Sequence, residues 1–102
     1  AGRALTPGAH APHFTLDTRE LQVSGGSGCN RFAGPFELDG TRLQFGRLAG
    51  TKMACEPARM RLEGEFLNAM RAATRYRLTH ANLELTSVDG AVLLALTARE
   101  SD

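Results

Sequence analysis

The sequence predicts a mainly β, α+β domain: an antiparallel meander sheet curled into an open barrel, with one α-helix at about 57–73 packed against it. Three observations lead there. Seven short runs alternate apolar and polar residues with the period of two that a half-buried strand requires. One stretch has apolar residues at helical spacing, and Pro57 stands at its start. The connections between the β runs are of hairpin length, too short for the crossovers that parallel strands need. Short strands joined this way avoid long open edges only by curling, which is the reason for expecting a barrel.

Residues 1–12 hold two prolines and two glycines around a single large apolar residue, Leu5, and read as an extended lead-in segment. Phe14 and Leu16, a turn at Asp17 to Glu20, then Leu21 and Val23 describe a first hairpin. Ser24 to Gly28 reads as a glycine-rich break. The stretch Cys29 to Leu38 sets Phe32, Phe36 and Leu38 on one parity, and Pro35 within it suggests a bulged or edge strand. Asp39-Gly40 predicts a type I′ turn into Leu43 and Phe45, with both turn residues at positive φ. In the helix, Leu62, Phe66, Ala69, Met70 and Ala73 form the apolar stripe, flanked by Met60 and Leu67. Arg59/Glu63 and Arg61/Glu65 are spaced to pair on the wet side. Gly64 costs about 1 kcal/mol relative to Ala in a helix, which predicts a close approach to a strand. Tyr76 and Leu78, Leu83 and Leu85, then Val92, Leu94 and Leu96 give three closing strands, with turns at His80 to Asn82 and Asp89-Gly90.

A chain of 102 residues is one domain. Its 42% hydrophobic and 23% charged residues allow a packed core and argue against disorder. The net charge of +1 gives no electrostatic pull towards nucleic acid, and the six aromatics are spread one per element as core residues are. No apolar run approaches the roughly 18 residues of a spanning helix.

Reactive groups are few. Cys29 and Cys55 can form one disulfide or remain two buried thiols. If joined, they close a loop of about 27 residues, which stabilises the fold by roughly 3 to 4 kcal/mol in the chain-entropy model. A metal site could draw on His10, His13, His80 and the two cysteines, but no recognised ligand spacing occurs. A Cys29 nucleophile could in principle take His80 as base, with Asn30 or Asp89 orienting it, but no family signature surrounds it. Ser24 to Gly28 lacks the lysine and following helix of a phosphate loop, so positive φ or a bulge explains its glycines better. Glu63 and Glu65, two apart on a helix, diverge and read as solvated charges. No catalytic, metal or cofactor set emerges.

Three segments taken together resemble a known family. They are Ser27-Gly28-Cys29-Asn30-Arg31-Phe32-Ala33-Gly34, then Leu43 to Leu48 leading into Thr51-Lys52-Met53-Ala54-Cys55, then Glu63 to Leu67 in the helix. This G-C-N-R-F-x-G, L-x-F, T-x-M-A-C series followed by a helix and a D-G turn is similar to the META domain of HslJ-type bacterial heat-shock lipoproteins. It spans about residues 13–97. The resemblance implies a lipocalin-like barrel in an exported protein, periplasmic or tethered to the outer membrane, linked to heat induction and novobiocin resistance, without enzymatic activity or cofactor. An oxidising compartment fits a Cys29–Cys55 disulfide. Gly28, Asn30, Arg31, Phe32, Gly34, Thr51, Met53 and Ala54 are then structural, Asn30 bonding nearby backbone and Met53 filling the core beneath. The family's opening strand with Trp and Leu has no counterpart here, so the expectation is a domain one strand short with an exposed edge. The expected partner is an envelope protein or peptide, or alternatively a lipid or small apolar ligand inside the barrel. Membrane contact is expected only through a lipid anchor outside this chain.

Overall fold

A computed structural model of the chain describes residues 12–79 and 81–97. The lead-in segment up to residue 11, the opening strand looked for there, His10 and His80 lie outside the described residues. The order is β1 (His13–Asp17), β2 (Gln22–Gly26), β3 (Arg31–Asp39), β4 (Arg42–Phe45), β5 (Ala49–Gly50), α1 (Pro57–Ala72), β6 (Arg75–Leu78), β7 (Asn82–Thr86) and β8 (Val92–Thr97). All pairings are antiparallel, in the order β1-β2-β3-β4-β6-β7-β8, with β5 also on β3. The chain is therefore a mainly antiparallel sheet of eight strands with one helix. Among the described residues no pairing closes β8 onto β1.

The alternation that predicts the strands also builds the core. Phe14, Val23, Phe32, Phe36, Leu43, Leu83 and Leu85 turn inward from the sheet, and Phe66, Met70 and Ala73 meet them at α1. All five phenylalanines join one chain of ring contacts, Phe32 to Phe66 to Phe14 to Phe45 to Phe36, with centroids 5.9 to 6.3 Å apart. These are the tilted and edge-on arrangements that aromatic quadrupoles favour.

Several local expectations change. Ser24, Gly25 and Gly26 are strand and not a break: β1 runs so close that a Cβ on Gly25 would lie 2.1 Å from the His13 carbonyl oxygen. The glycine is what admits the neighbouring backbone. The strand after Cys29 begins only at Arg31. Pro35 sits within a central strand because its missing N–H falls where pairing changes. Gly46 N–H donates to the Pro35 carbonyl (2.8 Å), the return bond is unavailable, and the chain leaves β3 before rejoining it as the short β5. That two-residue strand is the eighth, too short for periodicity to reveal.

The β3–β4 turn falls on Gly40-Thr41, one residue later than predicted. Asp39 pairs with Arg42, and only Gly40 has positive φ (61°), the pattern of a type II′ turn. The helix ends at Ala72. Leu62, placed on the apolar stripe, is exposed, and a Cβ on Gly64 would meet nothing within 4 Å, so no strand approaches there. Gly64 is a simple propensity cost. No helix among the described residues is long and apolar enough to cross a membrane.

Candidate functional site

The G-C-N motif forms the tip of the β2–β3 hairpin. Ser27 N–H donates to the Asn30 carbonyl (2.9 Å), leaving Gly28 and Cys29 at the turn. Gly28 has φ +108°, a conformation in which a side chain would be strained. Cys29 is bonded to Cys55 across a Cα–Cα distance of 6.1 Å, tying this tip to the segment that leads into α1. Neither sulfur is then a thiolate available as nucleophile or ligand.

Asn30 is buried and uses every hydrogen-bonding position of its side chain. Its Oδ1 accepts from Met53 N–H (2.6 Å) and the Thr51 hydroxyl (2.9 Å), while its Nδ2 donates to the Met53 carbonyl (3.3 Å) and Glu63 Oε2 (3.1 Å). Two acceptor and two donor sites are the full capacity of an amide. Its backbone N–H donates to Glu63 Oε1 (3.0 Å). The buried Ser27 hydroxyl has one proton, and it too points at Glu63 Oε1.

Glu63 is thus the second hub, and here the sequence reading is corrected. Neither it nor Arg59 forms a solvated i,i+4 pair. Arg59 Nε donates to the Gly28 carbonyl (3.0 Å) and Glu63 takes the donors of Ser27 and Asn30, so both clamp the helix to the hairpin tip. Desolvation is the largest single influence on the Glu63 carboxyl and raises its pKa. The donors of Ser27 and Asn30, with the charge of Lys52, outweigh it together and hold the group below the usual carboxylate value. Nothing in the helical pattern set Glu63 apart. The signal that reached it was its place at the start of the third resembling segment.

The other motif residues surround these hubs. Arg31 and Thr51 exchange bonds: Thr51 N–H donates to the Arg31 carbonyl (3.0 Å) and Arg31 N–H to the Thr51 hydroxyl (3.1 Å). Phe32 enters the core. Gly34 admits the chain crossing above it, since a Cβ there would lie 2.5 Å from the Arg47 carbonyl oxygen. Ala54 is exposed. Met53 does not fill the core: its side chain is 55% exposed, because its backbone is what the fold holds.

Beside this cluster lies an open groove of about 400 Å³. One wall is the α1 face carrying Met60, Glu63, Leu67 and Arg71, and the other is the chain from Leu48 to Ala54. Among the described residues no three His, Cys, Asp or Glu side chains gather to hold a metal ion. Of the other candidates, His13 lies on β1 and Asp89 in the β7–β8 turn, neither joining the cluster.

The sequence model of the META domain family matches residues 1–100, a longer span than the motifs themselves cover. Among solved structures, the chain is similar to a protein from Burkholderia xenovorans determined by NMR. Identity is 27% and the TM-score 0.78, over 98% of this chain and 82% of that one. A second NMR structure is similar at 23% identity and TM-score 0.68, over 96% of this chain and 86% of the other. A DUF4847-family protein from Bacteroides vulgatus ATCC 8482 shares the fold at 16% identity and TM-score 0.64, over 91% of this chain and 62% of that one. Among curated proteins none matches.

Proposed function

The chain belongs to the META domain family, and on that premise we propose that it is an exported, non-enzymatic, stress-related domain of the cell envelope that holds a partner protein or peptide. The observation that carries this reading is the groove beside α1. Its floor is a disulfide-tied polar cluster whose members satisfy one another, and its rim is side chains open to a partner, Lys52, Met53 and Arg71. A reactive site needs a group poised to give or take a proton or electron pair. Here the two sulfurs are bonded to each other and the carboxylate is held ionised by its donors. The disulfide also favours an oxidising compartment.

The same reading takes the sheet as an incomplete lipocalin-like barrel with the helix across its open side. In support, the Phe66 ring of α1 lies tilted against that of Phe14 of β1, centroids 6.1 Å apart, while α1 also packs against β8. Against a lipid or small apolar ligand inside that barrel stands the packing of Phe, Leu and Met side chains that occupies its interior.

The test is in the native host with the full chain. A photocrosslinking residue at Lys52 or Met53 is expected to capture a discrete partner, and one at Val88, exposed in the β7–β8 turn and not lining the groove, is not. Fractionation with thiol alkylation is expected to place the oxidised protein outside the cytoplasm. Cytoplasmic protein with two free thiols, or equal capture from both positions, would overturn the reading.

A further inference from the structure

The groove identifies the chemistry of its occupant, and the argument rests on the partner-binding reading above. Two features of the wall Leu48 to Ala54 decide it. The first is a half-used backbone. Thr51 N–H reaches the Arg31 carbonyl, and Met53 is held by Asn30 through both its N–H and its carbonyl, so alternate residues face the Asn30-Arg31 stretch. Lys52 and Ala54 are the intervening residues, and among the described residues their N–H and carbonyl groups have no hydrogen-bond partner. A segment that continues β5, bonded at alternate residues along one side and open along the other, offers an edge to which another strand can add.

The second feature is charge. Arg31, Lys52 and Arg71 all line the groove, against one carboxylate, Glu63, already engaged by Ser27 and Asn30. None of the three cations is within ion-pair distance of a carboxylate among the described residues, where Arg77–Glu84 is the sole salt bridge. Between these charges lie Met53, Met60 and Leu67. Methionine surfaces re-pack around varied apolar side chains. The volume, about 400 Å³, stands at the small end of ligand sites and suits a few residues of extended chain better than a folded face.

We infer that this groove binds an extended acidic peptide segment. Its backbone adds to the open edge at Lys52 and Ala54, its carboxylates meet Arg31, Lys52 and Arg71, and its apolar side chains rest on Met53, Met60 and Leu67.

The probe is a short fluorescent peptide alternating Glu with Leu, compared with the same peptide carrying Lys for Glu, on the oxidised full chain. The acidic peptide is expected to bind, more weakly as salt rises, and the basic one not to bind. The double variant R31Q/R71Q is expected to weaken binding by about tenfold or more while staying folded, since both side chains are exposed and the groove cation that acts on the Glu63 hub, Lys52, is left in place. Amide exchange at Lys52 and Ala54 is expected to slow on binding, which side-chain attraction alone would not produce. Equal binding of both peptides, unchanged exchange at those two amides, or binding only to phosphatidylglycerol vesicles or inorganic phosphate would overturn the inference. If Lys52 and Met53 still crosslink to a partner in the host while the acidic peptide fails, the occupant assigned here is wrong and the partner-binding reading stands.

Discussion

The two ends of this molecule are held together in different ways. At the hairpin tip, distant pieces of chain meet through a covalent bond and a closed set of polar contacts: Cys29 with Cys55, Asn30 with Thr51 and Met53, and Glu63 with Ser27 and Asn30. At the β6–β7–β8 end, neighbours in sequence pair in register over Leu83 and Leu85. The polar side-chain contributions there are exposed and local: an ion pair, Arg77–Glu84, the Thr86 hydroxyl on the Arg75 carbonyl, and a turn in which the Ser87 hydroxyl donates to Asp89 and accepts from Ala91 N–H. Local pairing and burial suffice for a meander. A loop that must sit against a helix more than thirty residues away needs directional bonds, because apolar contact alone does not fix its register.

The largest effect is expected from Asn30→Ala. It removes four side-chain bonds at once and strands the Met53 backbone and one Glu63 oxygen, which should cost about 4 kcal/mol in urea unfolding. A loss below about 1 kcal/mol would mean that water replaces the amide freely and that the tip is not a distinct hub. Reduction of the disulfide is next, at roughly 3 to 4 kcal/mol for a loop of this length. Hydrogen exchange should then rise first between Gly50 and Cys55 and leave β7 protected; uniform loosening would erase the contrast between the two ends.

Glu63 sharpens the comparison through pH. Its folded pKa lies below its unfolded value, so its contribution is present above the unfolded value and disappears as pH falls through the folded one. Wild type should therefore lose stability on acidification below about pH 4.5 more steeply than Glu63→Gln. The variant should itself cost about 1.5 kcal/mol at neutral pH, because its new amide presents donors to donors. Parallel pH profiles would remove Glu63 from the hub. The smallest effect belongs to Arg77→Ala, where 67% side-chain exposure leaves the pair worth about 0.5 kcal/mol or less in a melt at physiological salt.

How much of this is legible in the sequence differs by region in the same way. The meander is legible in outline, since Leu83 and Leu85 alternate with polar residues and Asp89-Gly90 marks the turn, with Gly90 at φ 91°, but Leu78 and Val92, expected to face inward, are exposed, and the pairing of β7 with β8 shifts register at Leu85/Thr86. The hairpin tip is legible only as a motif. Cys29, Asn30, Thr51 and Met53 are singled out by resemblance, but their spacing along the chain says nothing of which atoms meet. Met53 illustrates the limit: the residue type suggests core, whereas the fold uses its N–H and carbonyl and leaves the thioether outside. Pro35 illustrates another. Its missing donor is evident, yet that it ends the β4 ladder on a central strand depends on which strand lies beside it.

The sequence by itself determined seven of the eight antiparallel strands, the inward parity of those that carry Phe14, Val23, Phe32, Leu43 and Leu85, the helix opened by Pro57 and the two cysteines able to join. These follow from periodicity, turn chemistry and covalent capacity, which act over a few residues. Tertiary structure alone decided that Glu63 is a hub, that Arg59 faces the hairpin tip, and that Lys52 and Ala54 present an open edge opposite Arg71. Directional hydrogen bonds between residues 33 and 36 positions apart leave no periodic trace, because their geometry exists only once the hairpin and helix have been brought together.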